Sequence, residues 1–213
     1  MPRKKAEEET GGAEEVPLQE LPNVQRAAVH IKGMKPLLMS SPQEVYEGSK
    51  GKSRKTSKEY IDEEEAEKRA YRLKPGDPNS PLVVPARCIQ ACMVKAAKLY
   101  RTKGRVGISV TDMIKGSVSI DPDPIPIVDD KGKPIKNYII NRNLVVVQRA
   151  RILRCRPEVR DWNLRFIIQW NPRIYGLTLE QIEDVVRDAG FIGLLDWRPT
   201  FGIFELKSIS LVK

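Results

Sequence analysis

Histidine and cysteine are nearly missing from these 213 residues: there is one histidine, His30, and three cysteines, Cys88, Cys92 and Cys155. Three thiols are too few for a disulfide framework, and no cysteine–histidine cluster has the spacing of a zinc site. No apolar run is long enough to span a membrane, and the opening MPRKKAEEET lacks the apolar segment of a signal peptide. These absences exclude a disulfide scaffold and N/S metal chemistry, and they predict a reduced, intracellular, cytoplasmic protein with no membrane partner. No constellation of nucleophile, base and orienting group can be assembled either, so the chain reads as non-enzymatic and without a cofactor.

What the chain does carry is positive charge. Lysine and arginine number 37 against 28 acids, a net charge of +9. The first fifteen residues hold three basic and five acidic groups, so everything after Glu15 carries +11. Such a field favours polyanions, nucleic acid before all others. The charge is concentrated in NRNLVVVQRARILRCRPEVRDWNLRFIIQWNPR, Asn141 to Arg173, with eight arginines, two acids and no lysine. Arginine offers a planar, multidentate donor for phosphate and a surface that stacks on bases. Edge protection alone does not require Arg149, Arg151, Arg154 and Arg156 within eight residues, beside Arg142 and Arg160. These six are candidate nucleic-acid contacts. Across Leu144–Arg156 the arginines change parity, which predicts a bulge near Ile152–Leu153 or an exposed, strongly twisted strand.

Residues 1–22 are charged and poor in large apolar groups, and are expected to be a disordered tail. Residues 23–213 are expected to form one domain, with an insertion at about 43–80. That insertion contains the basic loop GSKGKSRKTSK, whose Lys50, Lys52, Arg54 and Lys55 are further candidate contacts. Around it, Ala27, Val29 and Ile31 alternate with Arg26, His30 and Lys32, the mark of a half-buried strand. A helical stripe of Ile89, Cys92, Met93, Ala96, Leu99 and Tyr100 predicts a helix over 86–100, with Arg87, Lys95, Lys98 and Arg101 off the stripe or at its end. DPDPIPIVDDKGKP is too proline-rich for a central strand and is expected to be an exposed connection or edge hairpin. Leu164, Phe166, Ile168 and Trp170 alternate as a strand. Thr178 to Gln181 has capping-box spacing before a helical stripe ending at Gly190, and IFELKSISLV supplies a last strand.

Strand–helix–strand order thus occurs twice. It predicts an α+β, ferredoxin-like or RRM-like antiparallel sheet with helices on one face and a long insertion. The other face would stay open to a ligand, as in RNA-recognition sheets. Trp197 and Arg198 in GLLDWRPTFG are candidates for base stacking and a phosphate or base contact. The alternative for that turn is structural, with Trp197 packed on the sheet and Asp196 paired to Arg198. His30, as acid or base of an endoribonuclease, lacks a partner in the sequence. Asp121, Asp123, Asp129 and Asp130 do not match an EF-hand loop and read as turn aspartates.

Three stretches resemble known proteins. VHIKGMKPLLMSS and LVVPARCIQACMVKAAK are similar to the first strand and the strand-to-helix entry of RAMP-type proteins, the ferredoxin-like backbone proteins of CRISPR effector complexes. AGFIGLLDWRPTFGIFEL resembles their glycine-rich turn before a terminal strand. It is closer still to uncharacterised phage-encoded proteins ending in AG-x-x-G-x-x-D-W-R-P-x-x-G-x-F, here Ala189, Gly190, Gly193, Asp196, Trp197, Arg198, Pro199, Gly202 and Phe204. The resemblance implies a ferredoxin-like fold and a phage source. Charge and resemblance together predict a non-catalytic nucleic-acid-binding protein that prefers single strands and forms a homo-oligomer. The competing expectation is a viral structural or assembly protein whose basic strands mediate subunit contacts.

Overall fold

Alternation in two segments far apart in sequence builds the centre of the molecule. The computed structural model describes residues 23–42, 62–100, 109–147 and 150–212, with the backbone alone for Val147, Ala150 and Ile152. The tail 1–22 and the loop bearing Lys50, Lys52, Arg54 and Lys55 lie outside the described residues, as does Arg149. Strand β1 (Gln25–Gly33) is followed by the two-residue β2 (Leu37–Leu38), helix α1 (Asp62–Arg69), β3 (Val83–Val84) and α2 (Ala86–Ala96), which runs on into a 3-10 turn at Ala97–Leu99. Next come α3 (Val110–Ser117), β4 (Val118–Asp121), β5 (Ile125–Val128), β6 (Ile139–Val147), β7 (Ala150–Val159) and β8 (Asn163–Trp170). The short α4 (Pro172–Tyr175), α5 (Leu179–Ile192) and β9 (Phe204–Val212) complete the chain.

The main antiparallel sheet runs β9–β1–β8, and β4 and β5 share the far edge of β8, with β3 beyond β5. Taken as β1, α2, β4/β5, β8, α5 and β9, the order is that of a ferredoxin-like α+β fold. One apolar face, with Ala27, Val29 and Ile31 of β1 and Leu164, Phe166, Ile168 and Trp170 of β8, is buried in a single cluster. The stripes of the two principal helices, Ile89, Cys92, Met93 and Ala96 of α2 and Ile182, Val185, Val186 and Ala189 of α5, close it. The opposite face carries Arg26, His30, Lys32, Arg165 and Gln169, none of them buried.

Capping sets the helix starts. Thr178 and Gln181 form the reciprocal capping box of α5, and the Ser109 hydroxyl accepts from the Asp112 N–H at α3. Pro85 caps α2 without a side-chain bond, and Asp123 supplies the missing acceptor by taking the Ala86 N–H at 2.9 Å. Turn roles hold for Asp129, which accepts from the Lys131 and Lys133 amides. Asp130 instead joins Lys32 and Asn163 on the open face of the sheet.

Three expectations are corrected. Leu144–Arg156 is not one bulged strand: β6 and β7 pair in unbroken register from Ile139↔Glu158 to Val147↔Ala150, so the segment is a hairpin arm. No glycine or asparagine between the two strands announces the hairpin in the sequence. With β2 on its other edge, the arm forms a second, three-stranded sheet. DPDPIPIVDDKGKP is not an exposed connection: β5 pairs with β8 and β3, buries Ile125 and Ile127 completely, and turns back through a Val128↔Pro134 bridge, as in the hairpin alternative. The prolines of DPDPIPIV lie before or within a four-residue strand that needs few ladder bonds. Leu99 leaves the core stripe and is 70% exposed, since the helix tightens to three residues per turn there.

Helix α5 and β9 approach each other closely. A Cβ on Gly190 would lie 2.3 Å from the Phe204 carbonyl oxygen, a backbone atom that cannot swing aside. Gly190→Ala is therefore expected to destabilise the protein by about 1–3 kcal/mol despite alanine's higher helix propensity. Urea unfolding followed by circular dichroism checks this, and an unchanged or raised midpoint would contradict it.

Candidate nucleic-acid interface

The segment GLLDWRPTFG links α5 to β9 and departs from ordinary backbone geometry. Gly193, Leu195, Trp197 and Gly202 all have positive φ, at +83°, +58°, +51° and +73°. Glycine adopts this region freely, whereas leucine and tryptophan do so at a cost of about 1–3 kcal/mol each, which the surroundings must offset. Backbone bonds do so here: Leu194 N–H donates to the Gly202 carbonyl, Phe201 N–H to Trp197, Gly202 N–H to Pro36 and Asp196 N–H to Leu38. Gly202 has no alternative, because a Cβ there would sit 2.1 Å from the Leu194 oxygen. Strain of this kind in a loop on a rigid scaffold is a mark of a functional site.

The loop presents Trp197 at the surface, 39% exposed, with its ring stacked on Phe201 at 6.2 Å between centroids. The Arg156 guanidinium lies over the indole at 5.1 Å from its centroid. Arg156 Nε also ion-pairs with Asp196 at 3.1 Å, while the other Asp196 oxygen accepts the Trp197 N–H. The Arg156 side chain is only 12% exposed, and its Nε and Nη1 find no hydrogen bond among the described residues. A buried cation in that state is held by Coulomb attraction to Asp196 and by the indole face. The expected Asp196–Arg198 pair is thus replaced by Asp196–Arg156, which clamps the hairpin arm to the loop.

Beside Trp197 is a cleft of about 480 Å³, lined by Lys95, Phe191, Leu195, Trp197, Arg198 and Pro199 among others. Phe191 is 74% exposed, an unusual state for the last turn of an otherwise amphipathic helix. Arg198 is exposed at the cleft, and Lys95 reaches it from α2. Arg87, Ala91, Lys95 and Lys98 are all exposed at helical spacing, so α2 offers a basic stripe leading to the cleft. Two aromatic surfaces between cations suit a nucleotide chain, which presents flat bases at intervals along a phosphate track. Cys92, behind the stripe, donates to the Ala189 and Gly193 carbonyls, and burial pushes its thiol up to about 11, so it is inert.

The remaining arginines of the arm are placed differently. Arg142 pairs with Asp62, Arg154 with Glu65 at 3.2 Å and Arg160 with Glu158 at 2.8 Å. Cys155 donates to Asp62 as well, and burial followed by that bond pushes its thiol up to about 11. Arg151 is exposed and makes no ion pair among the described residues. Acids of α1 and β7 therefore take up much of the charge that made this segment conspicuous. Helix α1 is tied in further by Glu67, which pairs with Arg72 and accepts from Tyr138. Trp162 is fully buried, with its indole N–H on the Lys35 carbonyl, and is not a stacking surface. His30 bonds to Asn163 at 3.1 Å on the open sheet face. No group of three or more metal-ligating side chains occurs among the described residues, and no described helix is long and apolar enough to cross a membrane.

Lys95 and Phe191 were missed in the sequence. The stripe of Arg87, Lys95 and Lys98 was readable from helical spacing, and Phe191 stands two residues past Ala189, off the core stripe of α5. Their convergence on Trp197 is a product of tertiary packing.

Two outcomes are expected from this geometry. The Glu67 carboxyl is held below its usual 4.5 by the Arg72 hydrogen bond, helped by Tyr138. Its stabilising effect is therefore complete above that pH and is lost as pH falls through the lower folded-state value. Urea midpoints at pH 7 and pH 3 should fall further for the wild type than for Glu67→Gln, and equal falls would contradict the tether. Arg156→Ala should loosen the loop, raising proteolytic cleavage at 193–202 severalfold while leaving the main-sheet circular dichroism signal unchanged.

No family model matches the chain, and no curated protein matches it. Among solved structures, a chain of the cryo-EM structure of the Type III-B Cmr-beta complex bound to cognate target RNA is similar, with a TM-score of 0.51 and 13% sequence identity. The match covers 90% of this chain and 61% of that chain, so the protein spans about three fifths of its neighbour's length. At that identity the likeness is one of fold. It agrees with the α+β ferredoxin-like architecture.

Proposed function

We propose that this is a non-catalytic nucleic-acid-binding protein that prefers single strands and acts as a homo-oligomer. The observation that carries the reading is the cleft at the strained loop. Exposed Phe191 and Trp197 stand beside Lys95 and Arg198, at the end of the basic stripe of α2. Single-strand preference follows from the aromatic groups, since a base must be unstacked to lie on them, whereas a duplex keeps its bases stacked inside. The fold of a neighbour found in an RNA-bound complex supports the same class of partner. The DWRP motif at Asp196–Pro199 is the reason for proposing a phage source.

In this reading the contact set shifts from the arm to the cleft. Arg156 acts as a positioning residue behind Trp197, Arg198 and Lys95 meet phosphate, and Arg142, Arg154 and Arg160 serve the arm's own ion pairs. A structural or assembly role is the second reading, favoured by the arginines already engaged with Asp62, Glu65 and Glu158.

Fluorescence anisotropy with labelled single-stranded and duplex oligonucleotides across a salt series tests the proposal. Binding should favour the single strand and fall steeply with salt, because each phosphate contact releases counterions. Phe191→Ala and Trp197→Ala should each cost about 5- to 150-fold in affinity, the range of about 1–3 kcal/mol per stacked base. Lys95→Ala and Arg198→Ala should each lower the salt slope by about one, and Arg154→Ala should leave binding unchanged. Absence of binding, or affinity indifferent to salt and to all four cleft substitutions, would overturn the reading.

A further inference from the structure

The strained loop has a second side. A smaller cavity, of about 250 Å³, is lined among the described residues by Ser40, Tyr71, Cys88, Leu195 and Asp196. Leu195 and Asp196 line the cleft as well, so these two residues are a wall common to both spaces. The lining comes from four separate places in the chain: the residue pair of the loop, the stretch after β2, the stretch after α1 and the first turn of α2. Every lining residue is half-buried, which shelters the space while leaving it open to solvent. A pocket of this volume is too small for a drug-sized ligand, which takes about 300–1,000 Å³, and suits one planar ring system.

Its polar groups have a definite hydrogen-bonding character. Asp196 Oδ1 accepts the Trp197 N–H, and Oδ2 faces Arg156 in an ion pair without a hydrogen bond. A carboxylate has about four lone-pair positions, so both oxygens can accept again. Tyr71 spends its O–H on the Ser40 carbonyl at 3.3 Å, which leaves the phenol oxygen as an acceptor. Burial, with Cys88 and Asp196 behind it, pushes the Tyr71 phenol up, so it stays neutral beside the carboxylate. Burial also pushes the Cys88 thiol up and keeps its S–H as a donor. The Ser40 hydroxyl accepts from Arg69 and has its own O–H to give. Arg87 and Arg198 both act on the Cys88 thiol, so the cations of the α2 stripe and of the loop flank this cavity too.

We propose that this cavity receives a guanine base of the single strand held in the cleft, with the Asp196 carboxylate accepting from the guanine ring N–H and 2-amino group. Guanine alone among the bases presents two adjacent donors on its pairing edge, and a carboxylate is an acceptor with two oxygens side by side. The guanine carbonyl then meets the hydroxyl of Ser40 or the thiol of Cys88. Thymine and uracil carry a carbonyl on each side of a single N–H, and those oxygens would face the carboxylate. Adenine and cytosine bring one amine with a ring acceptor next to it, which leaves an Asp196 oxygen unpaired. A site built for particular hydrogen bonds rejects bases that leave its polar groups unpaired. The inference rests on the nucleic-acid reading of the cleft and deepens it by giving the bound strand a sequence preference.

Fluorescence anisotropy of the full chain at one fixed salt concentration tests the pocket. The probes are a labelled thymine oligomer and the same oligomer carrying one central guanine, hypoxanthine or adenine. The wild type should bind the guanine oligomer at least about fivefold more tightly than the all-thymine or adenine ones, the lower end for one bidentate base contact. Hypoxanthine keeps the ring N–H and lacks the 2-amino group, so its oligomer should fall between them. Cys88→Met, which fills the cavity from α2, should abolish the guanine preference. Tyr71→Phe, which removes only the phenol oxygen, should reduce it, and circular dichroism would show that both variants keep the fold. Phe191→Ala, in the cleft, should weaken all four oligomers and leave their ratio unchanged. Binding without base preference in the wild type, or a guanine preference that survives both cavity substitutions, would overturn the inference and leave the cleft reading standing. Absence of binding to every oligomer would overturn both.

Discussion

Strand β1 must find partners on both of its edges, and both arrive more than 130 residues later in the chain. Its apolar side chains Ala27, Val29 and Ile31 are small for a central strand. They cannot be kept dry without Leu164, Phe166 and Ile168 on one flank and β9 on the other. Between Gly33 and Asn163 the chain leaves this central trio of strands and returns to the far edge of β8 with β4 and β5. The long insertion, the hairpin arm and the short strands β3 to β5 are the routes the chain takes under that constraint. Folding should accordingly be slow for the chain's size, since loop closure must precede the central pairing.

That topology determines where chemistry can occur. Helix α5 has to cross back over the sheet and hand over to β9 next to the point where β1 leaves it. The crossing is so close that Gly190 touches the Phe204 backbone, and the connecting segment must turn in little space. Left-handed residues at Leu195 and Trp197 are the result. A tryptophan forced into that conformation points outward, and Arg156 from the arm then locks it through Asp196. Scaffold strain and surface recognition are in this way two consequences of one close approach.

Charge behaves differently from shape in this protein. Of the eight arginines in Asn141–Arg173, Arg142, Arg154 and Arg160 pair with acids of α1 and with Glu158. Buried or half-buried pairs of this kind contribute specificity of docking more than net stability. Exposed cations beside the cleft come from elements that looked ordinary: Arg87 and Lys95 of α2, Lys98 of the turn after it and Arg198 of the loop.

Periodicity by itself determined the strands β1, β8 and β9, the helices α2 and α5, the capping box at Thr178 and the α+β class. Each is a local pattern of apolar spacing, and local patterns survive any tertiary arrangement. DWRP was conspicuous in the sequence too, because tryptophan and arginine in a glycine-bounded turn are chemically loud. Only the tertiary structure decided that Leu144–Arg156 doubles back as a hairpin, that DPDPIPIVDD supplies a buried strand, and that Phe191 and Lys95 meet Trp197. The physical reason is the same in each case. Parity and composition say which residues can share a face, but not which distant acid will claim an arginine or which helix end will lie beside a loop.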